Sequence, residues 1–103
     1  MKVLWADTAR DDLTNIGDYI GRDNPTRATS FIDEIIACGE TLSDLPLRFP
    51  VVPRFERLGI RRRVFGRYLI FYRVTDAAVE IVHVLHGAQD YARLLAMQDL
   101  DDG

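Results

Sequence analysis

The 103-residue sequence has very few residues of several types, and each shortage excludes a class of protein. Its single cysteine, Cys38, allows neither an internal disulfide nor a cysteine-based zinc site. No apolar run approaches the ~18 residues that a membrane span needs, and Asp7 interrupts the N-terminus too early for a signal peptide. The two histidines, His83 and His86, are expected on opposite faces of a strand, which disfavours a metal site. We expect a cytoplasmic protein with no membrane partner, metal or other cofactor.

Lysine is also nearly absent, and the arginines that replace it are unevenly distributed. Residues 1–47 carry a net charge of −5, residues 48–73 carry +7 and residues 74–103 carry −5. Arginine presents a planar fork that fits carboxylates, phosphates and base edges. The basic block therefore indicates an anionic partner or an internal salt-bridged role, with a solvated charged face as the plain alternative.

Apolar periodicity predicts one α+β domain over residues 1–98, followed by an acidic tail at 99–103. Residues 2–6 form a short strand. A helix follows, capped by Asp7 or Thr8, and the pair Asn24-Pro25 begins a second helix. Because few residues separate the two helices, they should pack as an antiparallel hairpin.

From Ile60 onward, three antiparallel strands are expected, with a two-residue turn at Gly66-Arg67. This turn pairs Arg62 with Phe71, and a second turn at Asp76-Ala77 pairs Arg73 with Glu80 and Leu69 with Val84. Both faces of this sheet are largely apolar. One face must pack on the helices, and the other should stay open as a partner site.

Two functions fit an arginine-bearing sheet of this size. The first is a metal-free endoribonuclease, in which arginine stabilises phosphorane-like charge and histidine, lysine or tyrosine transfers protons. The second is a protein-binding module that grips an acidic or nucleic-acid-handling partner. No nucleophile motif or phosphate loop is present to favour another chemistry.

The strand region contains the segments GRYLIFYRV at residues 66–74 and VEIVHVLHGAQD at residues 79–90. These two segments resemble the RelE/ParE superfamily of type II toxins, and its ParE-like branch in particular. The resemblance implies an N-terminal strand, an antiparallel helix hairpin packed on a three- to four-stranded antiparallel sheet, and a short C-terminal helix. It also implies a toxin that is neutralised by a ParD-like antitoxin and inhibits DNA gyrase without catalysis of its own.

The superfamily leaves two other activities open. RelE-like members are ribosome-dependent mRNA endoribonucleases with an arginine just after the first tyrosine of the hairpin strand, where this chain has Leu69. This difference favours the gyrase inhibitor. A nuclease would use Arg62, Arg73 and His86. A third alternative is a non-toxic homologue that only binds its antitoxin.

The resemblance also assigns the faces of the sheet. Tyr68, Ile70 and Tyr72 would pack on the helices. The target would be contacted by Arg61, Arg63 and Arg67. The antitoxin would bind the residues of the open face: Arg62, Leu69, Phe71, Arg73, Val82 and Val84.

Overall fold

A computed structural model describes the backbone of residues 1–102 and the side chains of residues 1–96. The predicted acidic tail, residues 99–103, therefore lies outside the described side chains. Within residues 1–102, no helix is both long enough and apolar enough to cross a membrane. The elements in chain order are β1 Lys2–Trp5, α1 Asp7–Gly21, α2 Pro25–Glu40, β2 Arg61–Phe65, β3 Tyr68–Val74, β4 Ala78–His86 and α3 Tyr91–Asp102, with 3₁₀ turns at Thr41–Ser43 and Glu56–Leu58.

The helix hairpin forms as the apolar spacing predicts. The Asn24 side chain accepts a hydrogen bond from the Arg27 amide at 3.0 Å and caps α2, with Pro25 in its first turn. The cap predicted for α1 is wrong, because the N-cap residue is Ala6 and makes no side-chain hydrogen bond. Thr8 is used elsewhere: its hydroxyl donates to the Val82 carbonyl of β4 at 2.5 Å.

The sheet is mixed, which corrects the expectation of a fully antiparallel one. Its strand order is β1-β4-β3-β2, and β1 runs parallel to β4. A parallel neighbour requires a long crossover connection, which here contains both helices and all of β2 and β3. Only β2, β3 and β4 form the expected antiparallel meander.

The registers agree with the prediction as far as a β-bulge in β4. Arg62 pairs with Phe71 and Arg73 with Glu80, as expected. Between Phe71 and Tyr72 the register shifts, and Val82 is the extra residue left without a partner. Leu69 therefore pairs with Leu85 rather than with Val84, and the faces of β4 exchange beyond the bulge.

The helices cover one face of the sheet, where Tyr68, Ile70 and Tyr72 pack as predicted. The opposite face is not open, which corrects the expectation that this face would be exposed as a partner site. Two segments of the chain itself cover it: the connection between α2 and β2, and α3. The cluster they form with the sheet contains Val52, Phe55, Ile60, Phe71, Val82, Leu85 and Leu95.

Candidate functional site

The β-bulge is held by two polar side chains of α1. Asp12 Oδ2 accepts a hydrogen bond from the Val84 amide at 2.9 Å and lies 2.7 Å from His83 Nδ1. Together with the Thr8 bond to Val82, these contacts fix three consecutive residues of β4 to one helix. His83 is only 9% exposed, and the described residues contain no buried side-chain nitrogen or oxygen without a partner. This histidine therefore serves the packing of α1 on the sheet.

Two of the three arginines predicted to bind the target make internal contacts. Arg61 donates to the carbonyl oxygens of Leu47 and Phe49, at 3.1 Å and 2.6 Å. Arg63 donates to the Cys38 carbonyl at the end of α2, and its guanidinium lies 4.9 Å from the centre of the Phe49 ring. Both arginines remain partly exposed, but their guanidinium groups hold the α2–β2 connection onto β2.

The same connection is also bound from the centre of the sheet. The buried Tyr72 hydroxyl donates to the Pro46 carbonyl at 2.6 Å. Burial raises the pKa of the Tyr72 phenol above its ordinary value of 10.0, although nearby arginines oppose the shift. Part of the +7 block thus has the internal role that the sequence left open.

The residues predicted to bind the antitoxin divide into exposed and buried groups. Arg62, Leu69 and Arg73 are partly exposed. Phe71 and Val82 are fully buried beneath α3 and the connection, and a partner can reach them only if that cover moves. Val84 is also buried, but the bulge places it on the helix face of the sheet. No single surface presents all six residues.

The nuclease candidates Arg62, Arg73 and His86 do not lie together. His86 pairs with Tyr68, five residues from Arg73 along β3, which corresponds to about 17 Å of strand. Arg73 is held by a 2.7 Å ion pair from its Nε to Glu80 Oε1. Arg62 and Arg73 share the face of Phe71, whereas His86 contacts Tyr68 on the helix face.

Arg67 and His86, which were assigned to different roles, do come together. The Gly87 amide donates to the Arg67 carbonyl at 2.9 Å, and the Tyr68 and His86 rings meet edge to face at 5.3 Å. Arg67, Tyr68 and His86 line one cleft of about 520 Å³ beside α1. The bulge places His86 opposite Tyr68, whereas an unbulged strand would place Leu85 there. The cleft therefore could not be foreseen from the sequence alone.

The architecture defines a small toxin-like α+β fold, and solved structures share it. A chain of the chromosomal ParDE toxin–antitoxin system from P. aeruginosa aligns with a TM-score of 0.73 at 20% identity, over 84% of this chain and 95% of that one. A chain of the RelBE2 toxin–antitoxin complex from Mycobacterium tuberculosis aligns with a TM-score of 0.62 at 28% identity, over 82% and 95%.

Sequence comparison identifies the family. Residues 3–91 match the family model described as the ParE toxin of the type II toxin–antitoxin system parDE. Toxin RelE2 of Caulobacter vibrioides is 33% identical over 89 residues, covering 85% of this chain and 97% of that protein. The chain therefore belongs to the ParE toxin family, within the RelE/ParE superfamily of type II toxins.

Proposed function

We propose that this chain acts in the cytoplasm as a toxin that inhibits DNA gyrase without catalysis of its own. The observation that carries the proposal is that three of the four arginines on β2 and β3, all except Arg62, are held by contacts within the chain. Arg61 and Arg63 bind backbone carbonyls, and Arg73 binds Glu80. Guanidinium groups committed in this way stabilise a shape and are poorly placed to converge on a scissile phosphate.

We also propose that a ParD-like antitoxin neutralises the toxin, by analogy with the ParDE and RelBE2 toxin–antitoxin systems. Its contact surface would centre on Arg62, Leu69 and Arg73. Within residues 1–96, the Arg62 guanidinium makes no hydrogen bond or ion pair with another side chain, so an acidic partner segment can pair with it. Contact with Phe71 or Val82 would require displacement of α3.

An mRNA endoribonuclease is the second candidate. The 33% sequence identity to a protein named Toxin RelE2 favours this candidate. Against it stands Leu69, which occupies the position of the expected arginine and packs against the apolar cluster of the second face. The separation of His86 from Arg62 and Arg73 also means that this histidine cannot transfer a proton beside those arginines.

Regulated expression of the chain, alone and with its antitoxin, distinguishes these candidates. Gyrase inhibition predicts growth arrest with gyrase-linked cleavage of plasmid DNA while messages stay intact. Codon-linked cleavage of translated messages with undamaged DNA would instead establish the nuclease. Normal growth together with tight antitoxin binding would identify a non-toxic homologue and refute the proposed activity.

As a variant for this experiment, Arg62→Glu reverses the charge of the proposed antitoxin contact. It should leave growth arrest intact but weaken rescue by the antitoxin, because like charges would then face each other. Arg48→Glu is the matched control, since Arg48 is an exposed arginine of the same basic block in the α2–β2 connection. Equal loss of rescue by both variants would show that the block acts only through its total charge.

A further inference from the structure

The cleft that joins α1 to the tip of the β2–β3 hairpin has the size and lining of a ligand site. Its volume of about 520 Å³ falls within the ~300–1,000 Å³ typical of small-molecule pockets. Seven residues line it: Asn15, Ile16, Tyr19, Arg67, Tyr68, His86 and Gln89. None of them is acidic, although the chain has 16 acidic residues. We propose that this cleft binds a phosphate monoester that carries a flat ring, as in a nucleoside monophosphate.

Hydrogen-bond donors dominate the polar lining. In the part of the chain with described side chains, the exposed Arg67 guanidinium has no hydrogen bond or ion pair, so its five N–H groups are available. His86 Nδ1 accepts from the Ala88 amide at 3.0 Å, so the neutral ring carries its proton on Nε2. Gln89 Oε1 accepts from the His86 amide at 2.8 Å, which leaves its NH₂ group as a donor. Such a set complements an anion with several acceptor oxygens.

Two tyrosines give the cleft aromatic surfaces on which a flat ring can stack. Tyr68 is fixed against Phe31, with ring centres 5.6 Å apart, whereas Tyr19 is 67% exposed. Tyr19 and Tyr68 line the same cleft. Burial, and to a lesser degree the Tyr19 phenol, raises the pKa of the Tyr68 phenol, so this group is a hydrogen-bond donor at neutral pH. Proteins that bind single-stranded nucleic acid combine aromatic side chains, on which bases stack, with cationic side chains along the backbone. Tyr19 and Arg67 line the same cleft, and the Arg22 guanidinium lies over the Tyr19 ring at 6.0 Å.

The cleft is separate from the surface assigned to the antitoxin. It lies on the helix face of the sheet, whereas Arg62, Leu69 and Arg73 belong to the face of Phe71. The inference does not depend on gyrase inhibition, because its readout is binding to the purified chain. A failure of one proposal therefore leaves the other unaffected.

Isothermal titration of the full chain with adenosine monophosphate, adenosine and ribose 5-phosphate provides the test. The nucleotide should bind saturably below about 1 mM, and each fragment should bind more weakly because it lacks the ring or the phosphate. Arg67→Gln should weaken nucleotide binding about tenfold, the usual effect of losing a charge-assisted hydrogen bond. Arg10→Gln is the matched control. Arg10 is exposed on α1, the helix that borders the proposed cleft, but it lines a different cleft.

A 5′-phosphorylated dinucleotide distinguishes the two sources of this chemistry. Tenfold tighter binding than the mononucleotide would identify the end of a single strand as the ligand, and equal binding would identify a free nucleotide. Tyr19→Ala should weaken binding of the mononucleotide and leave binding of ribose 5-phosphate unchanged. The proposal is overturned if no saturable binding occurs, or if Arg10→Gln reduces binding as much as Arg67→Gln does.

Discussion

His83 Nδ1 lies 2.7 Å from Asp12 Oδ2, and this contact joins α1 to the β-bulge of β4. The same carboxylate oxygen accepts the Val84 amide at 2.9 Å. One side chain of the first helix therefore partners both a buried imidazole and the backbone amide of the next residue. Beyond the bulge that these residues follow, the register places Tyr68 opposite His86.

Replacement of Asp12 should be among the most damaging polar substitutions in the chain. Asp12→Ala leaves the Val84 amide and the His83 ring without their partner, at an expected cost of about 2–4 kcal/mol in the free energy of unfolding. Asp11→Ala is the matched control, because Asp11 is exposed, and it should cost about 0.5 kcal/mol or less. Urea denaturation measures both. Similar losses for the two variants would contradict the role given to Asp12.

Gly39 allows the Trp5 indole to pack against α2. A Cβ atom built at Gly39 would lie 2.6 Å from the indole carbons and 2.9 Å from Ile81 Cδ1. Gly39→Ala should therefore lower the free energy of unfolding by about 1–3 kcal/mol, even though alanine favours a helix. Gly17→Ala in α1 meets only ordinary contacts, the nearest at 3.6 Å from Ile32, and should be neutral or stabilising. The urea midpoint should fall for Gly39→Ala and should stay the same or rise for Gly17→Ala, and a stabilised Gly39→Ala would refute the close packing.

Neighbouring arginines on β2 should respond differently to truncation. Arg61→Ala removes two hydrogen bonds to the α2–β2 connection and should cost about 1 kcal/mol, with faster amide exchange and proteolysis near Phe49. Arg62→Ala removes no such bond and should change stability by about 0.5 kcal/mol or less. Hydrogen exchange followed by mass spectrometry distinguishes them. Equal protection of the connection in both variants would contradict the internal role of Arg61.

Alkaline stability should depend on Tyr72. Burial raises the pKa of this phenol above 10.0 in the folded chain, whereas the unfolded chain ionises near 10. The contribution of this pKa difference to the free energy of unfolding is therefore complete below pH 10. It is lost as the pH rises through the pKa that Tyr72 has in the folded chain. Tyr72→Phe should be less stable at pH 7, through loss of the bond to Pro46, but should lose less stability between pH 9 and pH 11. Parallel pH profiles for the two proteins would rule out this linkage.

Local signals in the sequence predicted the parts of the fold that depend on short-range chemistry. The Asn24-Pro25 start of α2, the turn at Gly66-Arg67 and the pair of Arg73 with Glu80 all follow from neighbouring residues. Gly66 has a φ angle of 59°, which a glycine adopts readily at that turn.

The features that the sequence did not reveal are those that need tertiary partners. The bulge at Val82 is bound by Thr8 and Asp12, through hydrogen bonds that join residues 74 and 72 positions apart in the sequence. The parallel pairing of β1 with β4 depends on the crossover that the helices form. Because the bulge exchanges faces in β4, the prediction placed Val84 on the wrong side of the sheet.

A supercoiling assay with purified DNA gyrase tests the central proposal most directly. The full chain, added without antitoxin, should inhibit supercoiling of relaxed plasmid and trap linear DNA. A molar equivalent of antitoxin should restore activity. Messenger RNA incubated with ribosomes and the same preparation should remain intact. Undisturbed supercoiling together with cleaved message would contradict the account and establish the ribonuclease instead.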